Sequence, residues 1–295
     1  MSVLICDSNC ELWHTRVEQL KIDFIPMPYC YCGDEYDYDL GKDTDFKRFY
    51  SAVRGGEVPK TMALNPERYK EILTLYFAAG EDVLYISFSH AMSATFDHLN
   101  TALKELKEIF PERKCTVFNT NSISLGAGIQ VEAAAELKLK GESDERIIEF
   151  LEDFTNRVSV YFSVDSLMHL KRGGRLSGAA AVAGTVLGIK PVLTIDGKGG
   201  LTVCEKAMGR KKAIKSLAEK VIKYTSGTQY SVYVIDADSR DDGDELEKII
   251  KAARPELKTV RQTVGPVIGT HCGPGTLGVI FISDKRPVPL ENKND

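Results

Sequence analysis

The segment Gly173-Gly174-Arg175-Leu176-Ser177-Gly178 constrains this chain more than any other, together with the small, apolar run that carries it on to Gly188-Ile189-Lys190-Pro191. The run has no polar face, so a helix built from it has to be covered by other parts of the protein. Two adjacent glycines let the backbone turn sharply or approach another group closely. A cation at the mouth of an apolar surface suits a ligand with an anionic head and a hydrocarbon tail. The same residues also describe a glycine turn feeding a buried helix. Both readings stand on this segment alone.

A chain of 295 residues exceeds the usual size of one hydrophobic core, which predicts two domains. Hydrophobic residues at 43% and charged residues at 27% are enough to build both. The formal net charge of −4 argues against nucleic acid or an anionic membrane as partner. No apolar run approaches the roughly 20 residues of a membrane span. The opening Met-Ser-Val-Leu-Ile-Cys-Asp has neither the basic start nor the long apolar stretch of a signal peptide, and reads as the first strand of a cytoplasmic protein. Seven scattered cysteines, at 6, 10, 30, 32, 115, 204 and 272, predict free thiols and no metal site.

The first half alternates strand and helix signals. Strands are expected at 3–6, 22–29, 83–87 and 115–119, and helices at 45–53, 66–79, 94–109, 124–139 and 143–155, with a further helix opened by Asp7-Ser8-Asn9. Residues 33–41 read as a tyrosine-rich loop and 59–62 as a connection. This rhythm predicts a mostly parallel, helix-covered sheet. The second half has candidate strands at 158–164, 189–195, 201–206, 230–236, 259–264 and 277–282 and fewer helices, at 165–171, 178–187, 209–224 and 243–253. It predicts an α+β domain with a mostly antiparallel sheet. The boundary falls near residue 155, giving domains 1–155 and 156–295.

Ser87-Phe-Ser-His90-Ala-Met-Ser93-Ala94-Thr95 follows a strand and opens a helix, where α/β folds bind ligands. Ser93 either caps that helix or donates its hydroxyl to a carboxylate. Gly126-Ala-Gly128 has Val131 where a dinucleotide fingerprint needs its third glycine, so helix packing explains the pair better. Asp236 to Gly243 has Arg240 and Asp241 at positions where a calcium loop needs an oxygen ligand and a glycine. His271 lies in a Cys-Gly-Pro-Gly loop before the last strand, as a turn residue or a ligand donor. Arg210 opens a helix with three consecutive cations, against the helix dipole.

Taken in order, these segments resemble the DegV family of fatty-acid-binding proteins, the lipid-carrying subunits of bacterial fatty acid kinase. The resemblance runs nearly the whole chain. It rests on Cys6-Asp7-Ser8, Pro59-Lys60-Thr61, the Met92-Ser93-Ala94-Thr95 turn, Ser124-Leu-Gly-Ala-Gly128, Leu170-Lys-Arg-Gly-Gly-Arg175, Gly188-Ile-Lys-Pro-Val-Leu193, Arg210-Lys-Lys-Ala213 and His271-Cys-Gly-Pro-Gly-Thr-Leu-Gly278. It implies one fatty acid between two domains, its carboxylate held by Thr61, Ser93 and His271. Ala94 and Thr95 extend the candidate head-group contacts, and Arg175 and Arg210 support the head group or phosphoryl transfer. It implies no catalytic residue, metal or cofactor in this chain, which would instead present the carboxylate to a dihydroxyacetone-kinase-like fatty acid kinase subunit for acyl-phosphate formation in phospholipid synthesis. The chain departs from the family pattern at Met62-Ala63, Asn119-Thr120 and Ala94.

A buried tail is energetically sufficient, since each methylene taken from water contributes roughly 0.8 kcal/mol. The apolar run at 179–189 is expected to line part of a closed tunnel. Two rival readings are a serine esterase or thioesterase using Ser93 and His271, disfavoured by the missing glycine-flanked elbow, and a fatty-acid sensor without transfer.

Overall fold

The computed structural model describes residues 2–175 and 188–291. The expected helix at 178–187 lies outside them. In chain order the first half runs β1 (Val3–Asp7), α1 (His14–Leu20), β2 (Asp23–Ile25), β3 (Pro28–Tyr31), β4 (Asp34–Asp37), α2 (Phe46–Arg54), β5 (Lys60–Thr61), α3 (Pro66–Ala78), β6 (Val83–Ser87), α4 (Thr95–Ile109), β7 (Cys115–Asn119), α5 (Leu125–Leu139) and α6 (Asp144–Phe154). The second half runs β8 (Val158–Ser163), α7 (Met168–Arg172), β9 (Ile189–Ile195), β10 (Leu201–Met208), α8 (Arg210–Tyr224), β11 (Val232–Asp236), α9 (Arg240–Ala253), β12 (Thr259–Thr263), α10 (Pro266–Cys272) and β13 (Leu277–Ile282).

Strands β2-β1-β6-β7 form an all-parallel sheet. All five residues of β6 are buried, as a parallel strand covered by helices on both faces requires. Strands β10-β9-β8-β13-β11-β12 form the second sheet, antiparallel except where β11 pairs with β12. Helix α5 packs between the halves. A side chain at Gly128 would meet the carbonyl oxygen of Cys10 at 2.4 Å, so the pair of glycines serves close packing.

Four local expectations are corrected. The 22–29 stretch breaks into β2 and β3, which belong to different sheets. The presumed loop at 33–41 contains β4, and the 59–62 connection contains β5. Together β4-β3-β5 make a small antiparallel sheet. It is held by ring packing that strand patterning does not encode: Tyr36 lies 5.4 Å from Tyr29 and 4.9 Å from Tyr31. The turn opened by Asp7 is a single 3-10 turn, Ser8–Cys10, with Asp7 as its cap.

Candidate functional site

The carboxyl ends of β1 and β6 face the second sheet across a cavity with about 1020 Å³ of empty space, its open mouth included. Most of its wall is apolar, including Phe88, Ile123, Phe162, Ile235 and Val267. Thr61, Ser93, Arg175 and His271 also line it.

Two of those four polar side chains bond each other directly. Thr61 Oγ1 lies 2.8 Å from His271 Nε2. Thr61 is carried by β5, which pairs with β3 at Tyr29. His271 occupies the last turn of α10, not a loop as its Gly-Pro-Gly neighbourhood suggested. That helix begins at Pro266 behind Gly265, a proline at the first helical position. A side chain at Gly173 would meet His271 Nδ1 at 2.2 Å, so the first glycine of the pair makes room for the imidazole. Gly174 has φ +71° and turns the chain back. Arg175 then donates from Nε to the Met92 carbonyl at 3.1 Å and from Nη1 to the Gly173 carbonyl. Arg175 therefore joins the histidine side of the cavity to the Ser93 turn.

Ser93 has extended backbone before α4. Its hydroxyl accepts from the Thr95 amide at 3.2 Å and donates to Thr95 Oγ1 at 2.8 Å. Ala94 lines the cavity. Thr95 is buried and lines a small recess beside it, shared with Ser93 and Asn9. His271 Nε2 faces Thr61, so Ser93 and His271 are not hydrogen-bonded to each other. Arg210 is not among the residues lining the cavity. Its Nε donates to Asp242 Oδ2 at 2.9 Å, which offsets the unfavourable position of a cation at the start of α8. Nη2 lies 2.8 Å from the same oxygen but is not aligned for a hydrogen bond, and Nη1 and Nη2 are both buried without a hydrogen-bond partner.

Burial, reinforced by the Arg175 charge, lowers the His271 pKa to about 4, so the imidazole is neutral near pH 7. Burial also lowers the Arg175 pKa. Sequence reasoning missed Glu11, which is buried and does not line the cavity itself but holds Ser124, which does. Its carboxylate accepts from Ser124 Oγ and from the Gly265 amide at 2.5 Å. Desolvation, only partly offset by those bonds, raises its pKa to about 7. Glu11 thus ties the N-terminal half to the start of the helix that carries His271. An acid three residues after Ser8 was the available signal. Among the described residues no group of three or more His, Cys, Asp or Glu is arranged to hold a metal, and no helix is long and apolar enough to cross a membrane.

A family model described as "Uncharacterised protein, DegV family" matches residues 2–284. A DegV domain-containing protein of Clostridium perfringens is 34% identical over 285 residues, covering 96% of this chain and 98% of that protein. Among solved structures, a fatty acid binding DegV family protein from Thermus thermophilus superposes with a TM-score of 0.84 at 30% identity, covering 95% of this chain and 99% of that one. DegV from Bacillus subtilis, a fatty acid binding protein, gives a TM-score of 0.80 at 30% identity, with 96% and 99% covered.

Proposed function

The chain belongs to the DegV family, and from that premise we propose that it binds one long-chain fatty acid in the cavity, with the carboxylate at Thr61, Ser93 and His271. The observation that carries this reading is the division of the wall, apolar along most of its extent with linked polar side chains around Thr61 and His271. An acyl chain buried there gains roughly 0.8 kcal/mol per methylene before ordering costs.

The head group needs donors. Neutral His271 donates from Nε2 to Thr61 Oγ1, which frees the threonine hydroxyl proton for the ligand. His271 is then a positioning residue for Thr61. Ser93 keeps the Thr95 amide as its donor and turns its own proton from Thr95 Oγ1 to the carboxylate. Arg175, fixed to two backbone carbonyls, supplies positive charge near the imidazole.

In this reading the chain is a non-catalytic, cytoplasmic carrier with domains 1–155 and 156–295. It presents the carboxylate to a dihydroxyacetone-kinase-like partner, which forms the acyl phosphate used in phospholipid synthesis. Arg210 Nη1, which has no hydrogen-bond partner, favours this finer step, because phosphoryl transfer accumulates charge that fixed cations stabilise. Two measurements test the proposal. Native mass spectrometry of the purified protein should show one non-covalent fatty acid, and delipidated protein should melt higher once fatty acid is restored. An unchanged melting temperature with no bound lipid would sink the carrier reading. Acyl-phosphate formation on addition of the kinase and ATP tests transfer separately.

A further inference from the structure

Glu11 carries a carboxylate that the head-group scheme does not use. It is 1% exposed, and its two oxygens accept from two different segments. Oε2 accepts from the Ser124 hydroxyl at the start of α5, and Oε1 from the Gly265 amide just before α10. Its backbone carbonyl accepts from Gln262 Nε2 on β12. Among the described residues no lysine or arginine pairs with it. A buried carboxylate without a cation is costly to keep, and groups of this kind gather at functional sites.

Ser124 is the wall residue that this carboxylate holds, since it lines the cavity and Glu11 does not. It stands at the N-cap of α5, where a serine oxygen ordinarily accepts a helix amide, yet its side chain makes no such bond. Its φ of +50° is uncommon for a residue with a side chain, and strained positions concentrate at ligand sites. A hydroxyl has one proton and two lone pairs. While Glu11 is ionised, the Ser124 proton is committed to Oε2. Once Glu11 is neutral, its carboxyl O–H donates to Ser124 Oγ, and the Gly265 amide keeps the carbonyl oxygen. The serine proton then turns to the cavity.

We infer that Ser124 is a proton-linked donor in the fatty-acid cavity, released toward the bound carboxylate when Glu11 takes up one proton from solvent. The inference rests on the fatty-acid reading above. Burial raises the Glu11 pKa to about 7, so both states are populated near neutrality. The other titratable groups that face Glu11 are Tyr38, Tyr50 on α2 and Cys272 on α10. Burial raises all three, the thiol to about 12, so they stay neutral there. His271 is already neutral, with its pKa lowered to about 4. A second anion brought into the same low-dielectric region favours neutral Glu11. Ligand and proton therefore bind with positive coupling.

The test measures the affinity of delipidated full-length protein for tetradecanoic acid at about pH 6.5 and about pH 8.5, on either side of the Glu11 titration. Wild type should bind roughly fivefold more weakly at the higher pH, as expected for coupling worth one hydrogen bond to a charged group. Glu11→Gln sets its carbonyl oxygen on the Gly265 amide and its NH₂ group on Ser124 Oγ, which leaves the serine proton free at every pH. It should lose the extra pH dependence and bind roughly fivefold more tightly than wild type at the higher pH. Damage to packing does not produce such a gain. Ser124→Ala covers the case in which Glu11→Gln fails to fold. It should match wild type at the higher pH within about twofold and lack the gain at the lower one. The ligand's own titration is common to all three proteins and cancels when their profiles are compared. Parallel profiles for wild type and Glu11→Gln, or a wild-type profile in Ser124→Ala, would overturn the inference and leave Glu11 a structural residue. Wild type binding no fatty acid at either pH would instead overturn the fatty-acid reading, and this inference with it.

Discussion

Thr61 Oγ1 and His271 Nε2 stand 2.8 Å apart although 210 positions separate them in the chain. The contact joins the short strand β5 to the end of helix α10, so the head-group site exists only when the two halves are closed on each other. If His271 acts by orienting the Thr61 hydroxyl, the two act as one unit. Thr61→Val and His271→Gln should each weaken fatty-acid binding about tenfold, as expected for one hydrogen bond to a charged group. The double variant should be little worse than either single one. Calorimetric titration of all three proteins decides this, and additive losses would show that the residues contact the ligand independently.

Gly173 and Gly174 should fail in different ways. Alanine at Gly174, in open space at φ +71°, should cost about 1 kcal/mol of stability and leave fatty-acid affinity unchanged. Alanine at Gly173 would collide with His271 Nδ1 and should cost roughly 1–3 kcal/mol. It should also reduce affinity, because the imidazole must move away from Thr61. Urea unfolding of delipidated protein gives the first quantity and ligand titration the second. A Gly173→Ala protein with full affinity would contradict the packing argument.

His271 and Glu11 make opposite contributions to the pH dependence of stability. His271 titrates near 4 when folded, against an ordinary 6.5. Its stabilisation is present above pH 6.5 and is lost as pH falls toward 4, because the unfolded chain binds the extra proton. Glu11 titrates near 7 when folded, against 4.5. Its contribution is present below 4.5 and is lost as pH rises toward 7. Between pH 4.5 and 6.5 the two slopes oppose each other. Glu11→Gln keeps the shape and removes one of them. Unfolding free energy should then rise with pH by about 1.4 kcal/mol per unit more steeply than in wild type across that window. Parallel curves for the two proteins would rule out a shifted Glu11.

Arg210→Ala should leave fatty-acid affinity within about twofold of wild type, since Arg210 does not line the cavity. The lost ion pair with Asp242 should cost under about 1 kcal/mol. Acyl-phosphate formation with the kinase partner should fall by at least tenfold, within the range seen when a charge-stabilising donor is removed. Arg210→Lys should restore little of it, because a lysine cannot reproduce the fork of the guanidinium. Full kinase activity of Arg210→Ala would leave Arg210 a structural partner of Asp242.

Much of the fold was legible because local signals carry it. Asn65 caps α3 through the Arg68 amide at 2.9 Å, and Asn65-Pro66 announces that helix in the sequence. The apolar runs of β6 and β13 name themselves as buried strands. The β4-β3-β5 sheet was not legible. Its strands are two to four residues long, rich in Asp, Glu and Tyr, and stabilised by rings meeting across strands. Helix α10 was not foreseen either, since no helix was expected at 266–272 and the Gly-Pro-Gly turn that follows it put His271 in a loop in the sequence reading.

The sequence by itself determined the parallel sheet, the mainly antiparallel sheet that follows it, most helix boundaries and the DegV resemblance. Each depends on residues near one another in the chain, where capping, proline geometry and apolar periodicity act over a few positions. Only the tertiary structure decided that His271 faces Thr61 and not Ser93, that Gly173 is the space the imidazole occupies, that Asp242 balances Arg210, and that Glu11 is buried with its pKa near 7. Those outcomes depend on desolvation and on contacts between segments as many as 254 positions apart, as with Glu11 and Gly265. Neither desolvation nor such contacts exist until the chain has closed around its cavity.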